Sequence, residues 1–435
     1  MKMYCAVNRF HLLGCLLTFF LLNVSVGQAE ISNTLDLTVA DEGMLNLNGF
    51  EGSPDEYGVF ETYALKLPEF SRAVYYQGYW WPSGGNRVYA HIVEKNEEHA
   101  RIGDLSASGP EGGIFLLLEL NDGRYMAVLP LVGTKAYAWL DASEGSLEAT
   151  DRDKIFEYVV DVDQSFRLKF GHHGRDAISG DLPLCTWAVA DEPYTAVAKV
   201  WRAASEHPEI QGRLQLRGEK DYPEIFEYLG WCSWDGYHLS IDEAKILAAI
   251  DGIKASDIPI RYVLMDDGHY DRRTVGYDQE KFPESYTNML AQRDESTVRW
   301  MGIWYAMFGT YAGMKDPEGL APIQEHLFAG HQGKLVPRAD LVSVRTYYRY
   351  IFRDALEHDF DLVKIDFQTH NMPFLAGNVR EKNNGLTHPN PVEACTIIQQ
   401  GFHEVINENF EAMINCNWHN GVSLFNSYST SVGRC

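Results

Sequence analysis

Basic residues are scarce in this chain of 435 residues: 37 lysines and arginines stand against 61 aspartates and glutamates, a formal net charge of −24. Such an excess of negative charge is repelled by nucleic acid phosphates and by anionic membrane surfaces. We therefore expect neither nucleic acid nor a membrane as a partner of the mature protein. A neutral ligand is compatible with this charge.

Cysteine is also scarce, with 7 residues in the chain. Five of them follow residue 29, an odd number, and they lie far apart in the sequence. This pattern argues against a disulfide framework and against a zinc site of the CxxC type. No motif implies a metal or an organic cofactor. The pair His172-His173 has no third ligand nearby in the sequence, so we interpret it as exposed turn residues.

The apolar run from Leu12 to Leu22 is shorter than the ~20 residues that a membrane-spanning helix needs. Two basic residues precede it, and the small-residue sequence Val-Gly-Gln-Ala follows at 26–29, which is typical of a secretory signal. We predict a signal peptide at residues 1–29 and a secreted or periplasmic protein. A lipoprotein signal at Cys15 is the weaker alternative, because most of the apolar run follows that cysteine.

The length of the chain predicts two domains, and residues 30–215 have the pattern of strands. The runs Gly113–Leu120 and Arg124–Leu131 are separated by Asn-Asp-Gly at 121–123, a hairpin turn signal. We predict a β-sandwich for this part of the chain. Further predicted elements are strands at 134–140 and 165–170 and a helix at 193–207.

From residue 216 to residue 435, apolar strands alternate with amphipathic helices. This alternation predicts a parallel sheet, and most simply a (β/α)8 TIM barrel. Only about six strands fit, so we expect an incomplete barrel and a sequence that continues beyond Cys435. The predicted strands are 228–232, 262–265, 300–304, 362–365, 412–416 and 430–435, and the predicted helices are 241–254, 347–358 and 391–409.

The segment DLVKIDFQTH at 361–370 places Lys364 and Asp366 two residues apart on a predicted strand. Their side chains therefore face the same side of the sheet, and a nearby ammonium group lowers the pKa of a carboxylate. An ionised aspartate at the end of a parallel strand is suited to act as the nucleophile of a retaining glycosidase. An ordinary Lys–Asp pair at a strand end is the alternative interpretation.

Three other segments also lie at predicted strand ends: GWCSWDGY (230–237), VLMDDGHY (263–270) and GIWYAMFGTYAG (302–313). Together with the first segment they resemble glycoside hydrolase family 36, in the branch of raffinose synthases, alkaline α-galactosidases and seed-imbibition proteins. The resemblance implies a retaining α-galactosidase that needs no cofactor and acts on an α-galactoside oligosaccharide or polysaccharide. The alternatives are a galactosyltransferase of the raffinose synthase type, and a non-catalytic carbohydrate-binding protein if the chain truly ends at Cys435.

The resemblance also implies roles for particular residues. Asp366 matches the catalytic nucleophile, and the acid/base aspartate is expected just beyond Cys435, because Arg434 matches the arginine of the family's R-x-S-D-D-F-like motif. His269 stands where the family usually has tryptophan, which implies a pocket of altered shape. Asn417 or His419 is a further candidate contact. The implied substrate-binding residues are Trp234, Asp235, Asp266, Asp267, Trp304, Lys364 and Arg434.

Overall fold

The computed structural model describes residues 21–25, 34–78, 88–94, 100–101, 111–142, 145–148, 157–160, 166–368, 371, 374–375 and 388–416. No helix within these ranges combines the length and the apolar character needed to cross a lipid bilayer.

Strands dominate the described part of the chain before residue 191. Eleven of them join in one hydrogen-bonded sheet, and three short ones form a second sheet in the order β11-β12-β7. The strands are β1 (Leu21–Ser25), β2 (Thr34–Asp36), β3 (Glu42–Gly52), β4 (Val59–Lys66), β5 (Phe70–Gly78), β6 (Val88–Glu94), β7 (Ala100–Arg101), β8 (Glu111–Leu120), β9 (Tyr125–Pro130), β10 (Tyr137–Ala142), β11 (Gly145–Glu148), β12 (Glu157–Val160), β13 (Phe166–His172) and β14 (Ile178–Ala190).

The predicted hairpin is confirmed, because β8 and β9 pair in antiparallel fashion with Leu116 opposite Val128. Gly123 N donates to Leu120 O across the turn at 3.0 Å. β10 and β13 overlap the strands predicted at 134–140 and 165–170. β1 lies within residues 1–29, for which the signal peptide stays a prediction.

The large sheet folds over on itself around one apolar core. Leu182 and Trp187 of β14 share a buried cluster with Tyr63 and Leu65 of β4, although four strands separate β14 from β4 in the sheet. Hydrogen bonds join all eleven strands into one sheet, so the structure does not separate them into the two sheets of a sandwich. The predicted β-sandwich stays a prediction, and so does its boundary at residue 215. Helix α1 (Pro193–Glu206) covers the outer face, where Val200 joins a separate apolar cluster.

The second half contains a parallel sheet in the order β15-β16-β17-β20-β21, with helices between the strands. Sequential parallel strands alternating with helices are the arrangement of a barrel wall. Five predicted strands are thus confirmed, and the one predicted at 430–435 lies outside the described residues. The elements are β15 (Leu229–Cys232), α2 (Trp234–Tyr237), α3 (Glu243–Lys254), β16 (Ile260–Met265), α4 (Thr287–Leu290), β17 (Trp300–Ala306), β18 (Leu327–Ala329), β19 (Leu335–Pro337), α5 (Leu341–Ile351), α6 (Arg353–Glu357), β20 (Leu362–Asp366), α7 (Pro391–Asn409) and β21 (Ala412–Cys416).

The helix predicted at 347–358 is wrong in its start and in its continuity. Asp340 caps α5, its side chain accepting from Ser343 N at 2.8 Å, so the helix begins six residues earlier. Phe352 then separates α5 from α6. The amphipathic pattern predicted only the later part of this helical region, whereas the cap at Asp340 sets its start. The helix at 391–409 is confirmed as α7, which Asn390 caps by accepting from Val392 N at 3.0 Å.

His172 and His173 are buried, with exposed fractions of 0% and 2%, so the prediction of exposed turn residues is wrong. The loop that follows them packs against the start of α7, where Arg175 N and Asp176 N both donate to Pro389 O. Burial lowers the pKa of His172 to about 4, and this ring is therefore neutral at pH 7. The loop contact explains the burial, since it joins two parts of the chain that are distant in sequence.

Candidate active site

The candidate residues meet where the parallel strands end. In the pairing of β17 with β20, Trp304 lies opposite Lys364, and Ala306 lies opposite Asp366. In the pairing of β16 with β17, Met265 lies opposite Ile303, so the next residue, Asp266, comes level with Trp304. Because side chains alternate along a strand and paired residues share a face, these functional side chains project from the same face of the sheet.

Asp366 is the buried carboxylate at the centre of this group, with an exposed fraction of 6%. Its Oδ1 accepts from Phe367 N at 2.7 Å, and its Oδ2 accepts from Trp304 Nε1 at 3.2 Å. Phe367 has a φ of 55°, a conformation that is strained for a bulky side chain. The two donors leave the carboxylate in a fixed orientation.

Lys364 forms its ion pair with Asp266, the Nζ–Oδ2 distance being 2.7 Å. The sequence placed Lys364 and Asp366 on one face, which is confirmed, but the expectation that Lys364 lowers the net pKa of Asp366 is wrong. Burial raises the pKa of Asp366, and the Lys364 charge and the two hydrogen bonds oppose this rise without reversing it. The sequence could not reveal how completely the carboxylate is desolvated.

Asp266 is held by several contacts from the ends of β15 and β16. Ser233 Oγ accepts from Asp266 N at 2.9 Å, while Asp266 Oδ1 accepts from Asp267 N at 2.9 Å. The Cys232 thiol donates to Asp266 Oδ2 at 3.2 Å, and its pKa is raised to about 12 by burial and by the adjacent carboxylate. With both oxygens accepting hydrogen bonds, Asp266 acts in this arrangement as an oriented acceptor.

Asp267 is buried beside this pair, and burial raises the pKa of its carboxyl group. Within the described residues, no donor makes a well-formed hydrogen bond to its Oδ1, although the nearby Tyr270 hydroxyl partly offsets the rise in pKa. Gly268 follows with a φ of 112°, and a Cβ at this position would lie 2.9 Å from Leu239 Cα. Only glycine therefore permits the sharp turn after Asp267. A buried oxygen without a donor can accept a hydrogen bond from a ligand.

Trp304 lies within β17 and is buried, with 1% of its surface exposed, so it belongs to the strand and not to the loop after it. Its indole donates to Asp366, and its carbonyl oxygen accepts from His269 Nε2 at 2.8 Å. Tyr270 stacks on the indole at a centroid distance of 6.0 Å and an angle of 7°. Trp304 therefore orients the carboxylate directly.

The other predicted contacts lie at the start of α2 or outside the described residues. Trp234 is half-buried at the start of α2, where its ring meets His238 edge-on, and Asp235 is exposed. Within the described ranges, neither makes a hydrogen bond to the group around Asp366. Three candidates lie outside the description: Asn417, His419 and Arg434.

Several residues of the site were missed or misjudged from the sequence: Cys232, Ser233, Tyr270, Tyr286 and Phe367. Four of these five lie within the motif segments quoted above, and that proximity was the available signal. Tyr286 had none, because its contact with His269 joins residues 17 positions apart through a loop. The described residues contain no group of three or more histidine, cysteine or acidic side chains that could hold a metal ion.

Parallel strands that alternate with helices define a β/α protein. Its site contains an oriented, buried carboxylate at the carboxyl end of a strand, next to an ion-paired lysine. Such a site is suited to carboxylate chemistry. The family described as raffinose synthase or seed imbibition protein Sip1 matches this chain at residues 184–304. This match confirms the resemblance to the raffinose synthase branch of glycoside hydrolase family 36. The matched range includes Asp266, Asp267 and Trp304 and ends before Asp366.

Curated relatives match over a longer range at low identity. The chain is 23% identical over 344 residues to the probable galactinol–sucrose galactosyltransferase 6 of Arabidopsis thaliana, covering 70% of this chain and 43% of that protein. It is 24% identical over 447 residues to the probable galactinol–sucrose galactosyltransferase 1 of the same plant, covering 81% and 55%. The chain thus spans about half the length of these two relatives.

Among solved structures, the α-galactosidase TtGalA from Thermus thermophilus, in complex with p-nitrophenyl α-D-galactopyranoside, is similar with a TM-score of 0.49 and 15% identity. The similarity covers 89% of this chain and 73% of that one.

Proposed function

We propose that this chain carries the nucleophile and sugar-recognition residues of a retaining enzyme that cleaves terminal α-galactosyl residues. The observation that carries the proposal is the setting of Asp366, whose two oxygens accept from Trp304 and Phe367 at the end of β20. A complete (β/α)8 barrel around this site is part of the proposal. So are the roles that the family resemblance gives to the surrounding residues.

In the first step, Asp366 attacks the anomeric carbon, the glycosidic bond breaks, and the galactosyl group becomes an ester on the carboxylate. Burial strips water from the carboxylate, and its two hydrogen bonds hold it in position for attack. In the second step a second carboxylate takes the proton of the acceptor hydroxyl, the acceptor oxygen bonds to the anomeric carbon, and Asp366 leaves again as a carboxylate. The Phe367 amide and the Trp304 indole then stabilise the returning negative charge.

The Asp266–Asp267 pair supports recognition of a polyhydroxylated ring. Ionised carboxylates only accept hydrogen bonds, whereas sugar hydroxyls can donate them. Asp267 Oδ1 is buried and accepts no well-formed hydrogen bond within the described residues, so a hydroxyl group of the substrate would satisfy it. Lys364 neutralises the adjacent Asp266 and thereby limits charge repulsion between the carboxylates as substrate binds.

The leaving oxygen needs a proton from a second carboxylic acid. Asp266 is unsuited to this role, because Lys364 and Cys232 occupy its Oδ2 and the Asp267 amide occupies its Oδ1. The acid/base residue of the proposed mechanism is the aspartate that the resemblance places just beyond Cys435.

Two acceptors are compatible with the same covalent intermediate. Water gives hydrolysis, and a secreted protein would favour it because galactosyl donors made inside the cell are absent outside. A sugar acceptor gives transfer, and the names of the curated relatives as galactinol–sucrose galactosyltransferases favour this second candidate. Product analysis in excess sucrose separates the two, since only transfer yields a galactosylated sucrose.

The proposal is tested in the full natural protein with an activated aryl α-galactoside. Asp366→Asn should abolish turnover while the protein stays folded, and a slowly released fluorinated galactosyl donor should label Asp366 in peptide mass spectrometry. Asp359→Asn is the matched control, because Asp359 is exposed and asparagine tolerates its φ of 52°. Turnover in Asp366→Asn at the wild-type rate would show that another residue is the nucleophile.

A further inference from the structure

We propose that His269 is a positioning residue that holds Trp304 so that its indole N–H remains on the Asp366 carboxylate. The inference builds on the proposed function in one respect, the role of Asp366 as the nucleophile. His269 itself is fully buried, and the described contacts of its side chain are with Trp304, Tyr286 and neighbouring rings. Its effect on the reaction would therefore pass through Trp304.

The first contact is the hydrogen bond from His269 to the backbone of Trp304, which lies where β16 has ended. β16 ends at Met265, opposite Ile303, while β17 continues to Ala306. Trp304 lies beyond this last pair, and its carbonyl oxygen accepts from His269 Nε2 at 2.8 Å. A carbonyl only accepts hydrogen bonds, so Nε2 carries the proton. The side chain of His269 thus supplies a donor at the point where the backbone of β16 has turned away.

The second contact fixes the form of the imidazole ring. With Nε2 protonated, Nδ1 of the neutral ring is an acceptor, and the Tyr286 hydroxyl donates to it at 2.6 Å. Burial lowers the pKa of His269 to about 4, so the ring stays neutral at pH 7. Tyr286 is itself fully buried. The hydroxyl therefore selects one tautomer and one ring orientation.

The third contact reaches the indole ring of Trp304. Tyr270, the residue after His269, stacks in parallel on that ring. Two consecutive residues thus hold Trp304, one at its backbone and the other at its side chain. The indole N–H is directed at Asp366 Oδ2 at 3.2 Å, completing a path from Tyr286 through His269 and Trp304 to the carboxylate.

The expected consequence concerns the ionisation of Asp366. The indole hydrogen bond lowers the pKa of this carboxyl group, against the dominant effect of burial. The other charges facing Asp366 are those of Lys364 and Asp266, and the charges facing His269 are those of Asp266 and Lys281. A substitution of His269 leaves these three charged groups in place. If the indole turns away, the pKa of Asp366 should rise further.

The test compares His269→Leu with His269→Gln in the pH profile of kcat/KM. Leucine removes the donor, and we expect the acidic limb to move upward by about one pH unit, a tenfold loss of rate below it. The glutamine amide can place a donor near the former Nε2 position and should restore most of the profile. The loss should appear in kcat with KM unchanged, because His269 is not a sugar contact. An unshifted limb in a folded His269→Leu protein overturns the proposal.

A double-mutant cycle with Trp304→Phe shows whether His269 acts through the indole. Trp304→Phe alone should shift the acidic limb, and adding His269→Leu should shift it no further. Additive shifts would overturn the proposed route. If His269→Leu does not fold, Tyr286→Phe replaces it, since it removes only the hydroxyl that donates to Nδ1. We expect a smaller shift in the same direction, and its absence would contradict the proposal.

A readout without turnover separates this inference from the proposed function. The Trp304 indole resonance in a ¹⁵N-tryptophan spectrum is assigned by its loss in Trp304→Phe, and it should titrate with Asp366 and stop titrating in Asp366→Asn. His269→Leu should move that titration to higher pH. If this occurs in a protein without galactosidase or transferase activity, the proposed function fails alone. If the resonance and its titration are unchanged in His269→Leu, the positioning role is wrong.

Discussion

Replacing Lys364 with methionine removes the cation from an ion pair that is almost completely buried. The side chains of Lys364 and Asp266 are 14% and 3% exposed, and the bonded atoms are 2.7 Å apart. Removing one partner of a buried pair leaves an uncompensated charge, which costs about 3–5 kcal/mol. We therefore expect Lys364→Met to lower the free energy of unfolding by about this amount.

Urea unfolding at neutral pH measures the loss, provided that the m-value stays constant. The double variant Lys364→Met/Asp266→Asn is the matched comparison. It removes both charges, so it should recover most of the stability that Lys364→Met loses. Arg349→Met is the surface control, because the Arg349–Glu408 pair is 54% exposed on each side and such pairs contribute about 0–1 kcal/mol.

Two results would refute this reasoning. A loss below about 1 kcal/mol in Lys364→Met would mean that water or another cation solvates Asp266 as well as the lysine does. A double variant as unstable as the single one would mean that packing of the lysine side chain, and not the unpaired charge, dominates the loss.

Three further predictions concern single residues. Burial raises the pKa of Asp366 above its unfolded value, so its ionisation opposes folding at pH 7. Asp366→Asn loses one of the two hydrogen bonds at every pH, but its melting temperature relative to wild type should rise as the pH increases from about 4 to 7. The pKa of His172 falls to about 4 on folding, so the neutral ring favours the folded state. The free energy of unfolding should therefore fall by about 3 kcal/mol as the pH drops from about 6.5 to 4. His172→Asn should lack this part of the decline in urea midpoints between pH 7 and pH 4. A Cβ on Gly174 would lie 1.9 Å from Pro389 O, so Gly174→Ala should lower the free energy of unfolding by about 1–3 kcal/mol in chemical denaturation. Gly218→Ala is the control and should change it little, because a Cβ on Gly218 would meet open space. Equal effects of the two substitutions would contradict the proposed clash.

Much of the fold follows from local sequence. The Asn-Asp-Gly turn at 121–123 joins two apolar runs, and the antiparallel pair β8–β9 forms there. Asn390 and the apolar stripe after it determine α7, since a side-chain cap and helical periodicity are both short-range features. Strand alternation likewise puts Lys364 and Asp366 on one face. These features depend on neighbours within a few residues, so they can be predicted from the sequence alone.

The electrostatics of the candidate site depend on contacts between distant parts of the chain. Strand order and register bring Asp266 to Lys364 across 98 positions of sequence, and Trp304 to Asp366 across 62. Burial then reverses the pKa shift that the adjacent lysine alone predicts for Asp366. The reason is physical: a pKa depends on desolvation and on every nearby charge and donor, and these are set by packing between distant segments.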